Sequence, residues 1–238
     1  MTFHQHLLFF AFGVYPYICL SFLLLGSLIR YDRDPYTWKS DSSEFLRRRQ
    51  LQLGSNLFHY GVITVVLGHF FGFLTPKWMV EWALTPVGHQ LIAMVVGGIA
   101  GLVAIVGLTI LIARRLGEER IRLNSRKWDI AIVFMLWLQL ALGLLTVPMS
   151  AQHMDGVMFE TLTDYVKSIV VFQADAQLLA DVPVVYKLHI LLGLTLFLVS
   201  PFTRMIHIWS GAGSLAYLAR PYQIVRAPGS RAKGAVRP

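Results

Sequence analysis

The sequence predicts an all-α integral membrane protein of five transmembrane helices, with the N-terminus outside and the C-terminus cytoplasmic. Three observations lead there. Of 238 residues, 55 % are hydrophobic and only 14 % charged, where a soluble domain carries about a quarter charged; mean hydropathy is +0.58. Five apolar stretches approach the roughly 20 residues that a helix needs to cross the hydrocarbon core. Basic residues fall in short blocks between those stretches, nearly all on one side. Topology therefore accounts for the pI near 9.8 better than a nucleic-acid partner does. A single cysteine, Cys19, lies inside an apolar run. That excludes an internal disulfide and leaves no basis for a cysteine-ligated zinc or iron–sulfur site.

The spans lie near 7–29, 56–74, 91–113, 130–149 and 187–208. The first has neither a basic n-region nor a small-residue cleavage site, so it reads as a retained helix rather than a signal peptide. Thr75-Pro76 closes the second, Pro86 and Gly88 precede the third, and Pro148 closes the fourth, as proline's missing N–H dictates. Between the fourth and fifth, the outer segment 150–186 is amphiphilic in its middle (Phe159, Leu162, Tyr165, Val166, Ile169). That pattern predicts a short helix lying on the membrane interface. Residues 1–219 thus form one five-helix domain, and 220–238 a basic cytoplasmic tail in extended conformation.

Orientation follows from the basic blocks. Arg30, Arg33, Lys39, Arg47, Arg48 and Arg49 separate spans one and two; Arg114, Arg115, Arg120, Arg122, Arg126 and Lys127 separate three and four. Arg204, Arg220, Arg226, Arg231, Lys233 and Arg237 end the chain. With five crossings these 18 of the 21 Lys and Arg share one side, leaving Lys77, Lys167 and Lys187 on the other. The positive-inside rule makes the rich side cytoplasmic. An even number of spans would destroy the asymmetry.

Ionisable residues inside a span are costly and mark function by default. Of eight histidines, His4 and His6 precede span one, His89 begins span three and His153 is in the outer loop. The other four are His59 and His69 on span two, and His189 and His207 on span five. Ten residues of helix rise about 15 Å, so His59 and His69 cannot bind one iron. The two helices run antiparallel, which pairs His59 with His207 in the inner leaflet and His69 with His189 in the outer. Two bis-histidine b-type haems stacked across the membrane fit this pattern. On an ideal helix, however, His189 and His207 are about 27 Å apart. The Ser200-Pro201 break must absorb the mismatch. Gly61, Gly68, Gly72 and Gly193 leave room for a porphyrin face or for close helix packing.

Other readings compete. A lone membrane histidine is often just hydrogen-bonded to a serine or carbonyl, but four confined to two helices make coincidence a poor account. Direct zinc or copper binding lacks the carboxylates or thiolates that such sites add. Met94 and Met135 are conceivable axial ligands, though methionine in a span is far more often packing.

Several segments in order make the sequence resemble the gamma subunit, a cytochrome b, of membrane-bound respiratory nitrate reductases. They are Tyr15-Pro16-Tyr17-Ile18, Arg30-Tyr31-Asp32, Tyr36-Thr37-Trp38, Ser55-Asn56-Leu57-Phe58-His59 and Gly68-His69-Phe70-Phe71-Gly72. Ala141-Leu142-Gly143-Leu144-Leu145-Thr146, Ser150 to Gly156, and Ile206-His207-Ile208-Trp209-Ser210 continue the match. The resemblance implies a quinol-oxidising anchor in the bacterial inner membrane, using menaquinol or ubiquinol. Electrons would pass from the outer haem (His69, His189) to the inner (His59, His207). They would continue to an iron–sulfur beta subunit and a molybdenum-containing alpha subunit that reduces nitrate in the cytoplasm. His69 and His89 are the candidate quinol-site residues; His89 stands where a member of the family carries a lysine, so a basic group is kept there. Arg30, Arg114, Arg115 and Arg204 are candidate partners of haem propionates. His153 and Asp155 read as a pair that orders the outer loop. Two alternatives remain at this point: a related cytochrome b of a heterodisulfide or sulfite-reducing complex, and a haem-free membrane anchor.

Overall fold

A computed structural model describes residues 2–34, 48–80, 82–123 and 127–209, and the basic tail 220–238 lies outside them. All regular structure among the described residues is helical. Five helices are long and apolar enough to cross a membrane. Among the described residues they are α1 (Phe3–Arg33), α2 (Arg48–Leu74), α3 (Pro86–Gly117), α4 (Lys127–Ala151) and, after the helix α5 (Val157–Val170), α6 (Val184–Val199), whose apolar stretch continues to Phe202. The five-helix, all-α expectation is met.

Most helices outrun the apolar stretches that predicted them, because backbone hydrogen bonding continues into the polar flanks. Pro86 opens α3 in its first turn, where no intrahelical N–H is needed, and Thr85 Oγ1 caps the helix by accepting Gly88 N–H at 3.1 Å. Pro148, by contrast, does not close span four. It lies inside α4, which runs on to Ala151; a membrane helix tolerates proline where neighbouring groups satisfy the freed backbone. Span five is likewise not one helix over 187–208. α6 stops at Val199, and two 3₁₀ turns, Ser200–Phe202 and Arg204–Ile206, flank an extended Thr203 (φ −122°, ψ −179°). The chain therefore breaks where Ser200-Pro201 was expected to break it.

Small residues set the tightest packing. An added Cβ on Gly61 would lie 2.6 Å from Ala100 O and 2.6 Å from Ala104 N, and one on Gly107 would lie 2.7 Å from Gly54 O. α2 and α3 thus touch backbone to backbone, the close approach that small residues permit in membranes. Gly61 serves this packing rather than a porphyrin. From α3 the helices continue as a row, α3 on α4, α4 on α6 and α6 on α1. α2 meets the fifth span chiefly through histidine rings, His189 on α6 and His207 beyond its break.

α5 bears on another expectation. The short helix forms, and its apolar face packs on protein: Tyr165 is fully buried among Leu8, Phe12, Leu179, Val182 and Tyr186. Its hydroxyl donates to Phe12 O at 2.9 Å. That carbonyl belongs to the π-helical turn Phe10–Val14 of α1, where the widened ladder needs an outside donor. Burial pushes the Tyr165 phenol well above its ordinary pKa.

Candidate functional site

Each histidine pair forms as the antiparallel geometry requires. His59 and His207 have ring centroids 6.3 Å apart, and His69 and His189 have theirs 6.1 Å apart. A metal–imidazole bond of about 2.0 Å plus about 1.15 Å from nitrogen to ring centre would put two imidazoles on opposite sides of one metal about 6.3 Å apart. Both pairs match that spacing to a few tenths of an ångström. The rings are inclined by 66° and 39°.

Hydrogen bonding selects the nitrogen each ring offers. His59 Nδ1 lies 2.7 Å from Ser55 O, His69 Nδ1 2.8 Å from Val65 O, and His207 Nδ1 2.6 Å from Arg204 O. A carbonyl only accepts, so Nδ1 carries the proton in all three, and Nε2 keeps its lone pair for a ligand. His189 differs. Its Nδ1 is buried without a hydrogen-bond partner, while Gln139 Nε2 stands 3.4 Å from its Nε2 and donates to its backbone oxygen at 3.1 Å. Gln139 Oε1 is also buried and unpartnered. Two orphaned polar atoms at one ring mark a place where something else is meant to sit.

The donor set fits a haem better than a bare ion. Among the described residues, no three His, Cys, Asp or Glu side chains gather to hold a metal directly. Two imidazoles per site would suit a macrocycle that supplies the remaining donors.

His89 does not reach His69 directly. An aromatic ladder links them: His89 on Phe159 at 5.4 Å, Phe159 on Phe73 at 5.9 Å, and Phe73 on His69 at 5.5 Å between centroids. A cleft beside this ladder is lined by Gly72, Thr75, His89, Phe159, Glu160 and Thr163, among others.

The arginines have occupations of their own. Arg30 Nη1 donates to Pro201 O at 2.6 Å and Thr203 O at 3.0 Å, satisfying carbonyls at the α6 break. Arg204 pairs with Asp129 at 3.0 Å, and Arg115 donates to Asp129 O at 3.2 Å. Arg114 is buried in the last turn of α3. Asp155 accepts Val157 N–H at 3.1 Å, and the His153 backbone carbonyl, not its ring, is held by Gln90 at 2.8 Å. Met94 sulfur lies 4.0 Å from the Gln90 amide.

Of the glycines, Gly68 has open space around it and Gly72 faces Phe159. Gly193 faces the Gln139 amide. The glycine at the histidine is Gly143, where a Cβ would lie 2.9 Å from His189 Cε1. Sequence reasoning passed over both Gly143 and Gln139. A signal existed: Gln139 is the sole amide side chain in residues 130–149, one helical turn before Gly143.

Comparison with known proteins places the chain in a family. A family model described as nitrate reductase gamma subunit matches residues 8–228. The chain is 46 % identical to the respiratory nitrate reductase 1 gamma chain of Escherichia coli K12, over 94 % of this chain and 99 % of that one. It is 44 % identical to the respiratory nitrate reductase 2 gamma chain of the same strain, over 93 % and 98 %. With the nitrate reductase gamma chain of Bacillus subtilis 168 the identity is 35 %, over 90 % and 96 %. These matches and the five spans fit a multi-pass protein of the bacterial inner membrane. The chain belongs to the nitrate reductase gamma subunit family, the membrane-anchored subunit of an oxidoreductase complex.

Proposed function

We propose that the chain is a dihaem cytochrome b that oxidises menaquinol or ubiquinol near the periplasmic face. In this reading the N-terminus is periplasmic and the C-terminus cytoplasmic, as the basic blocks indicate. Two b-type haems, when bound, supply one-electron carriers, the outer on His69 and His189 and the inner on His59 and His207. The observation that carries the reading is the pair of ring separations, 6.1 and 6.3 Å, against the about 6.3 Å of two trans imidazoles.

The chain's own residues then have distinct tasks. The Ser55, Val65 and Arg204 carbonyls hold three imidazoles in the tautomer that offers Nε2, and raise their basicity. Gly143 and Gln139 seat the fourth. His89, at the mouth of the cleft, accepts a quinol proton and returns it to the outer aqueous phase. Arg30, Arg115, Arg204 and Asp129 hold the inner end in register. Electrons leave on the cytoplasmic side to an iron–sulfur beta subunit and then a molybdenum-containing alpha subunit, where nitrate is reduced. Each elementary charge moved inward across 100 mV is equivalent to about 2.3 kcal/mol.

The test is a reduced-minus-oxidised spectrum with haem quantitation on the purified complex. Two b-type haems per chain are expected. The absence of b-type bands would leave a haem-free anchor and sink the proposal.

A further inference from the structure

Gln90 is one of few buried polar side chains among the described residues of the spans, 2 % exposed, and apart from a 4.0 Å contact with Met94 sulfur its hydrogen bonds go to the end of α4 and the segment before α5. Its Nε2 donates to Ser150 O at 2.9 Å and to His153 O at 2.8 Å; its Oε1 accepts Gly156 N–H at 2.9 Å. The Ser150 carbonyl lies in the last turn of α4, where it also accepts His153 N–H at 3.2 Å; the His153 carbonyl follows the helix end, and Gly156 begins the turn into α5. The network fixes the amide's orientation, because exchanging O and N would set acceptor against acceptor and donor against donor.

A second contact, independent of Gln90, joins the same elements. Gly156 adopts φ +80°, and a Cβ there would lie 2.7 Å from Pro86 Cβ and 2.9 Å from the Pro86 carbonyl carbon. Only glycine allows both the left-handed turn and this approach. The start of α5 is therefore pinned to the first turn of α3 at two points. Three residues beyond Gly156, α5 presents Phe159, whose ring lies between His89 and Phe73 at 5.4 and 5.9 Å and lines the cleft.

We propose that Gln90 is a positioning residue for quinol oxidation: by clamping α4 and Gly156 it sets Phe159 as the ring against which the quinol head packs. The clamp acts on where the quinol sits, through α5, and touches neither histidine pair. This rests on the reading of the cleft as the quinol site. A planar aromatic head matches a site walled by one aromatic ring beside a proton acceptor.

The test uses the intact complex in membranes, with menadiol as donor and haem reduction followed by stopped flow. Gln90→Leu should raise the half-saturating menadiol concentration about tenfold while the limiting rate stays within about twofold, the pattern of lost binding rather than lost chemistry. Both haem spectra should stay at parent intensity. Phe159→Leu, which leaves the clamp intact, should raise the same concentration. An unchanged half-saturating concentration in either variant overturns the proposal. If Gln90→Leu fails to assemble, Phe159→Leu decides by the same criterion. His89→Leu serves as the reference arm: if it too oxidises menadiol like the parent, the quinol does not use this cleft and the underlying reading fails. If His89→Leu is slow while the other two match the parent, only the role of Gln90 and Phe159 fails.

Discussion

Gly143→Ala puts the outer histidine pair to a quantitative test. The new Cβ would stand 2.9 Å from His189 Cε1 and 3.5 Å from its Nδ1. Relaxed carbon–carbon contacts begin at about 3.5 Å, so the ring must move or turn by roughly 0.6 Å. The neighbourhood gives little room, with the Gln139 amide 3.4 Å from Nε2. Metal–ligand distances tolerate about 0.2 Å, so the displacement is about three times the slack at His189. Overpacking of this kind costs about 1–3 kcal/mol, and errors in ligand support cost about 10–100-fold in metal affinity. The assay is haem quantitation and a redox titration of membranes. The expected outcome is loss of one b-type haem, or a shifted outer potential, with the inner haem unchanged. Gly97→Ala is the control, since nothing lies within 4 Å of its added Cβ. Two haems at parent stoichiometry with an unshifted outer potential in Gly143→Ala would refute the reasoning.

Three further outcomes are expected. His189→Ala should remove the outer haem and spare the inner, read from difference spectra; both haems retained would break the pairing of His69 with His189. His89→Leu should slow quinol oxidation severalfold with both haem spectra intact, and parent turnover would remove His89 from proton transfer. Arg30→Leu strips two charge-assisted hydrogen bonds from the Pro201 and Thr203 carbonyls, worth about 1.5–3 kcal/mol each. It should loosen the α6 break and lower inner-haem occupancy through His207, and equal loss of both haems would contradict that local account.

Much of this was legible because the bilayer makes some residues expensive. Five apolar stretches and four membrane histidines on two spans were enough to name the helices and to pair His59 with His207 and His69 with His189. The break at Ser200-Pro201 was also legible, since 18 residues of straight helix reach too far. What escaped depends on relations between segments. Pro148 read as a stop because proline ends helices in water, whereas a membrane helix with satisfied neighbours carries on. The α5 pattern gave the helix but not its partner, because amphiphilicity says that a face is buried, not against what. Gly61 and Gly143 carry no label that separates helix packing from ligand packing. Only the facing atoms, Ala100 O for one and His189 Cε1 for the other, decide it.

The arrangement of helices explains why the histidines are divided as they are. α2 is the least buried span, gripped along α3 by glycine contacts and at its outer end by α5. α6 belongs to the other end of the row, held by α1 and α4. The two carriers thus have mainly different neighbours, and α5 touches both, through Phe159 on Phe73 and through Tyr165 beside Tyr186. A bis-histidine ligand would join those two assemblies at two heights. Its binding free energy would then act on packing as well as on redox chemistry, because anything that binds only the assembled state stabilises it. The glycines divide along the same line. Gly61 and Gly107 hold α2 to α3 and so fix both histidines of α2 together, while Gly143 acts on His189 alone. A defect at the first contact should therefore reach both sites, and a defect at the second should stay in the outer leaflet.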